Sequence, residues 1–136
     1  MANACNAVHF LDLVTWLSGA QVEKIQTENL APKWHKSKRE GYWEIFGSLR
    51  AIYSNGSTLT LKCVPKKEEF KISIKSNDNE WIIKEQEGRA NKNDGTSIPG
   101  KLDYQSEITG NLIETILKEG ICELPDLETS VKYHKV

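Results

Sequence analysis

The chain has 136 residues, enough for one domain with one sizeable hydrophobic core. Hydrophobic residues make up 38% of it and charged residues 27%, an ordinary soluble globular balance that excludes a disordered or fibrous chain. A net charge of −1 gives no basic stripe of the kind that marks nucleic-acid binding. No apolar run is long enough to span a bilayer. The N-terminus lacks the basic start and apolar core of a signal peptide. A cytoplasmic protein is therefore expected, with neither nucleic acid nor membrane as partner.

The first element is a helix over residues 6–18. Phe10, Leu13, Val14 and Leu17 fall at i, i+3, i+4 and i+7, which is helical spacing. Val8, Leu11 and Trp16 make its other sides apolar, so the expectation is a helix buried nearly all round. Gly19 can take the left-handed conformation that ends it. His9 and Asp12 interrupt the apolar surface, three residues apart and near one face.

Val22 to Leu30 alternates and reads as a strand. Ala31 to Gly41 reads as a polar loop, the most basic piece of the chain. It is either a solvated connector or a mobile segment over a site, with Trp34 and His35 as contacts. From Trp43 to Val64 the β signal is strongest. Trp43, Ile45, Leu49, Ala51 and Tyr53 share one face, as do Leu59, Leu61 and Cys63 after the turn. A two-residue Asn55-Gly56 loop pairs Ile52 with Leu59 and scrambles those faces. A three-residue loop of Ser54, Asn55 and Gly56, with Gly56 left-handed, pairs Ala51 with Leu59 and Leu49 with Leu61. The buried pattern favours the second.

Glu69 to Lys75 continues the sheet with Phe70, Ile72 and Ile74 inward. Ser76 to Asn79 is a turn. Glu80 to Glu87 is a further strand with Trp81 and Ile83 inward. The polar stretch Gly88 to Lys101 reads as a loop, with a short final strand as the alternative. Asp103 to Glu119 returns to helical spacing through Ile108, Leu112, Ile113, Ile116 and Leu117, and Gly120 ends it. Ile121 to Pro125 is an extended link. A last helix begins at Asp126 or Thr129 and runs through Val131, Tyr133 and Val136. These elements predict a single α+β domain over residues 1–136, a mostly antiparallel sheet with the helices packed on one face and the other face open. Thr58, Thr60, Lys62, Lys71, Ser73 and Lys75 are placed on the open face, with Ile82 and Phe46 as apolar islands, which makes it the expected surface for self-association.

Cys5, Cys63 and Cys122 are widely spaced and odd in number, without a CxxC or Cys/His cluster, so no zinc site is expected. Cys63 beside Leu59 and Leu61, and Cys122 beside Ile121 and Leu124, read as core residues.

The run His9-Phe10-Leu11-Asp12-Leu13 followed by Trp16-Leu17-Ser18-Gly19 resembles the H-x-x-D-L-x-x-W-L-x-G segment of the Gfo/Idh/MocA oxidoreductase family. Tyr53-Ser54-Asn55-Gly56-Ser57 is similar to a hairpin of that family. Leu112 to Gly120, followed by Leu124 to Val131, is similar to its closing segment. The resemblance covers nearly the whole chain. It implies the C-terminal substrate and dimerisation domain of an NAD- or NADP-dependent sugar oxidoreductase. It also implies a partner, an N-terminal Rossmann domain, without which this domain is inactive. No G-x-G-x-x-G follows a strand here, so no cofactor is expected in this chain itself. The family's catalytic histidine matches His9. Four residues earlier, where the family usually has an aspartate, this chain has Cys5.

Oxidation of a sugar alcohol requires a base for the hydroxyl proton, and an imidazole titrates close to neutrality. His9 is the expected catalytic residue. Asn6, Cys5, Trp34 and His35 are the expected substrate contacts, with Asn6 alternatively a helix cap. Asp12 is expected to be structural. A second class of function is a free-standing module that binds a small ligand between a helix and a curved sheet.

Overall fold

A computed structural model describes residues 3–65, 68–100, 103–122 and 124–135. The fold is α+β. It contains helices α1 (Asn3–Ser18), α2 (Gln105–Glu119) and α3 (Leu127–Lys135). The strands are β1 (Val22–Gln26), β2 (His35–Lys36), β3 (Trp43–Glu44), β4 (Gly47–Tyr53), β5 (Thr58–Cys63), β6 (Ile72–Ser76), β7 (Asn79–Lys84), β8 (Arg89–Lys92) and β9 (Ser97–Pro99). Every strand pairing among the described residues is antiparallel. Contacts gather these elements into two compact units. The first holds α1, β1 to β5 and α3, and the second holds β6 to β9 and α2.

In the first unit, α1 packs on the three-stranded sheet β1-β4-β5. The core is Leu11, Ala20, Ala51 and Tyr53, with Val8, Val14, Val22, Ile25 and Leu59 packed around it. Tyr53 is 1% exposed, and its hydroxyl donates to the Leu11 carbonyl at 3.1 Å, so the largest buried side chain also satisfies its polar tip. The helix is not buried all round. Leu11 with Val8 and Val14, each three residues away, forms the stripe that meets the sheet. Trp16, 78% exposed, and Leu17 lie off that stripe and face outward. Gly19 (φ 66°) ends the helix as expected, its N–H bonded to the Thr15 carbonyl at 2.8 Å.

The β4-β5 register follows the buried pattern. Leu49 pairs with Leu61 and Ala51 with Leu59. The loop has three residues: the Tyr53 N–H meets the Ser57 carbonyl, the Gly56 N–H meets the Tyr53 carbonyl, and Gly56 has φ 82°. The Asn55 side chain accepts the Ser57 N–H at 2.9 Å and fixes the turn. In the second unit the same chemistry recurs at Asn93, Asp94 and Gly95. There the Lys92 N–H meets the Thr96 carbonyl, and Asp94 accepts the Thr96 N–H. The Lys92 ammonium, 2.6 Å away, together with Thr96 holds the Asp94 carboxyl well below the usual carboxylate range. This turn joins β8 to β9, so Gly88 to Lys101 contains a hairpin where a loop was expected; Lys101 itself lies outside the described residues.

Three further expectations are corrected. The strand starting at Val22 stops at Gln26, and a turn carries the chain to Leu30, whose N–H bonds the Thr27 carbonyl. Trp43 and Ile45 do not continue the strand of Leu49, because the chain breaks at Gly47 (φ 109°), which bridges to Leu30. The presumed loop from Ala31 to Gly41 instead supplies β2, which pairs with β3.

The single greasy sheet is divided as well. In the second unit Ile72 pairs with Ile83 and Ile74 with Trp81, with Ile72, Ile74, Trp81 and Ile83 half-buried as expected, but in a separate sheet β6-β7-β8-β9. Helix α2 belongs to that unit, and Ile113, Ile116 and Leu117 on it are exposed. The open face is likewise two faces: Thr58, Thr60 and Lys62 are exposed on β5, and Ser73 and Lys75 on β6. Cys63 is buried, but Cys122 is exposed in the link after α2, along with Ile121 and Leu124.

Two glycines separate backbone strain from crowding. A Cβ at Gly56 meets nothing within 4 Å, whereas one at Gly47 falls 2.3 Å from the Asn29 carbonyl oxygen. Gly56→Ala should therefore cost about 1–2 kcal/mol for its left-handed backbone alone. Gly47→Ala should cost clearly more in the same urea titrations, and equal losses would show that the Asn29 segment yields freely. Asp126 caps α3, accepting the Thr129 N–H at 2.7 Å, and that backbone bond holds its carboxyl below the usual range. The unfolded carboxyl titrates near 3.9, so the cap is fully present above about pH 4 and is lost as pH falls further. Acid titration by circular dichroism should show less loss of helix below pH 4 in Asp126→Asn than in the parent.

Candidate functional site

Helix α1 carries one half of the expected site. His9 is exposed, although Leu11, two residues on, is 3% exposed. Rotation of about 200° separates such neighbours on a helix, so anchoring Leu11 in the core turns His9 outward. Asn6, one turn earlier, is half-buried, and so is Asp12. Cys5 lies on the same helix, but its side chain is outside the described part of the structure.

The hairpin β2-β3 carries the other half. It closes through Ser37, whose N–H bonds the Tyr42 carbonyl at 2.9 Å, and through Gly41 (φ 81°). His35 is opposite Glu44 and Lys36 is opposite Trp43. Directly paired residues share a face, so the hairpin has two distinct sides. On one side Glu44 is 7% exposed, accepts the Ile45 N–H at 3.1 Å, and has His35 across from it; His35 also lies against Phe46 with ring centroids 4.9 Å apart. On the other side are Lys36 and Trp43. Trp34 stands immediately before β2. Trp34 and Trp43 are each 52% exposed. At the tip the Arg39 guanidinium stacks over the Tyr42 ring, 4.6 Å from its centroid.

Helix α1 lies against β3 as well as β5, so the structure brings the helix of His9 and Asn6 next to the hairpin of Trp34 and His35. His35 is held in the strand opposite Glu44, and Trp34 is the residue just before that strand. Arg39, Tyr42, Trp43 and Glu44 join the site although the sequence reading assigned none of them to it. The available signal was a basic segment bounded by Trp34 and Trp43 and containing Gly41, which is the pattern of a short hairpin with aromatic flanks. Among the described residues no group of three or more His, Cys, Asp or Glu side chains is placed to hold a metal ion, and no helix is long and apolar enough to cross a membrane. No protein-family model, no curated protein and no solved structure matches this chain.

The anchoring of α1 and the exposure of His9 are separable. Leu11→Ala should destabilise the first unit by about 2–5 kcal/mol, the range for truncating a buried leucine. His9→Ala should leave the thermal midpoint within about 1–2 °C of the parent, the small effect expected of an exposed surface position. A large loss in His9→Ala would make this histidine a structural residue.

Proposed function

We propose that the chain is the substrate-binding and self-associating part of a nicotinamide-dependent oxidoreductase acting on sugars or sugar derivatives. The observation that supports this reading most directly is the exposure of His9 on the helix that anchors the core. The imidazole stays open to a ligand while the backbone beneath it is tied to the sheet through Tyr53 and Leu11. In this reading His9 accepts the proton of the reacting hydroxyl, and Asn6, one turn away, hydrogen-bonds a neighbouring hydroxyl. Cys5, Trp34 and His35 complete the substrate contacts.

NAD or NADP does not fit this chain's own described residues. Their strands pair only antiparallel, and none is followed by the glycine-rich turn and helix start that hold a pyrophosphate. The cofactor belongs to a nucleotide-binding Rossmann domain acting as partner. Self-association runs through an open sheet face, and that of β5, with Thr58, Thr60 and Lys62, suits a wet, hydrogen-bonded contact with lysine at its rim.

The test is NAD+- and NADP+-dependent oxidation of a panel of sugars and polyols by the protein that carries this chain. His9→Ala should lower kcat about 100- to 10,000-fold, the usual loss for a general base. The thermal midpoint should stay unchanged. Turnover that survives this substitution, or micromolar NAD+ binding by the 136-residue chain itself in titration calorimetry, overturns the reading.

A further inference from the structure

The charge of this chain is unevenly distributed, and the excess of cations coincides with its exposed aromatic rings. From Pro32 to Trp43 there are four cations, Lys33, Lys36, Lys38 and Arg39, against the one carboxylate of Glu40. The segment therefore carries +3, and with a whole-chain net charge of −1 the remaining residues carry −4. Trp34, Tyr42 and Trp43, all about half exposed, lie on the same segment. The pairing of Lys36 with Trp43 sets an ammonium and an indole ring on the same side of the hairpin, away from the buried Glu44. Arg39 is stacked on Tyr42, which orients its planar group at the tip.

From this arrangement we infer that the outward side of the β2-β3 hairpin binds the anionic group and ring of a negatively charged sugar, a sugar acid or a sugar phosphate. The inference rests on the sugar-oxidoreductase reading and specifies its substrate. The exposed Trp43 indole suits the apolar C–H face of a pyranose. The Lys36 and Arg39 groups suit a carboxylate or phosphate, Arg39 through two parallel N–H donors. Because α1 lies against β3, a sugar held there sits on the hairpin that adjoins the helix of His9.

A Debye length of about 8–10 Å at ordinary salt confines the hairpin's positive field to its neighbourhood, which is the scale of a small anion.

Titration calorimetry of the full chain with glucuronate, glucose 6-phosphate and uncharged glucose tests the inference without cofactor or turnover. At least one charged sugar should bind about tenfold tighter than glucose, the equivalent of one charge-assisted hydrogen bond. That advantage should shrink at 0.5 M NaCl. Lys36→Glu should abolish the preference for charge, and Trp43→Ala should weaken all three sugars; both positions are exposed, and unchanged circular dichroism confirms the fold. If glucuronate distinguishes itself and glucose 6-phosphate does not, the ligand is a sugar acid; the reverse result assigns a sugar phosphate. Equal binding of charged and uncharged sugars, or a charge preference that survives Lys36→Glu, overturns the inference. So does tighter binding of single-stranded oligonucleotide or of phosphatidylserine vesicles than of any sugar. Oxidation of neutral sugars in the activity assay, combined with equal binding here, refutes the charge specificity alone and leaves the oxidoreductase reading standing.

Discussion

The hydrogen bond from the Tyr53 hydroxyl to the Leu11 carbonyl is the constraint on which the first unit turns. Tyr53 can occupy that position only because β4 and β5 meet in one register. A slip by one residue would send Tyr53, Ala51 and Leu49 to solvent and bring Arg50 and Ile52 inward. The register is set in turn by the left-handed Gly56 and the Asn55 side chain at the loop. Three levels therefore depend on one another. A local turn selects the pairing, the pairing selects which side chains are buried, and the buried tyrosine fixes the helix at Leu11. His9 inherits its outward orientation from that anchor, because the turn of the helix leaves it no place in the core.

A second constraint, at Gly47, explains why the chain forms a separate hairpin before β4. The backbone there adopts φ 109° and passes close to the Asn29 carbonyl and Leu30. The Ala31 N–H reaches the Phe46 carbonyl and the Ser48 N–H reaches the Asn29 carbonyl, so the base of the hairpin is tied on both sides of the glycine. A side chain at this point would collide with that crossing. The hairpin β2-β3 is thus held at its root while its aromatic and basic outer side stays in solvent.

Much of this was legible in the residues. The helix end at Gly19, the three-residue loop at Gly56, the inward sets Ile72, Ile74 and Trp81, Ile83, and the cap of α2 at Gly120 follow from period and turn chemistry. What was not legible depended on partners. The burial of α1 was overestimated because nearly every position from Val8 to Leu17 is apolar, and composition cannot say which stripe meets the sheet; the answer was set by Tyr53. The β8-β9 hairpin shows in the sequence only as a loop with a short final strand as the alternative, although Asn93-Asp94-Gly95 repeats the chemistry of Ser54-Asn55-Gly56. Its flanking strands contain only Ala90 and Ile98 as apolar markers, so alternation gave no signal. Division into two units was hidden for a related reason. An alternating strand shows that one face is buried, but not which sheet it joins.

The same distinction governs the site. Residue type announced His9, Trp34 and His35 as chemically capable, yet their usefulness depends on orientation that only pairing supplies. Opposite register partners put His35 with the buried Glu44 and leave Lys36 with Trp43 on the outer side. A basic run in an otherwise acidic chain looks like solvated surface when read in one dimension. Folded back on itself by Gly41, it becomes a two-sided hairpin whose outer side pairs a cation with a ring. Burying Trp43 in place of Glu44 would serve a hydrophobic core better, and yet the structure buries the carboxylate and exposes the indole. That choice costs desolvation on one side and leaves apolar area in water on the other. Both costs fall on the hairpin that adjoins the helix of His9, and the second is offset if the exposed ring and the neighbouring ammonium meet a ligand that is itself part apolar and part anionic.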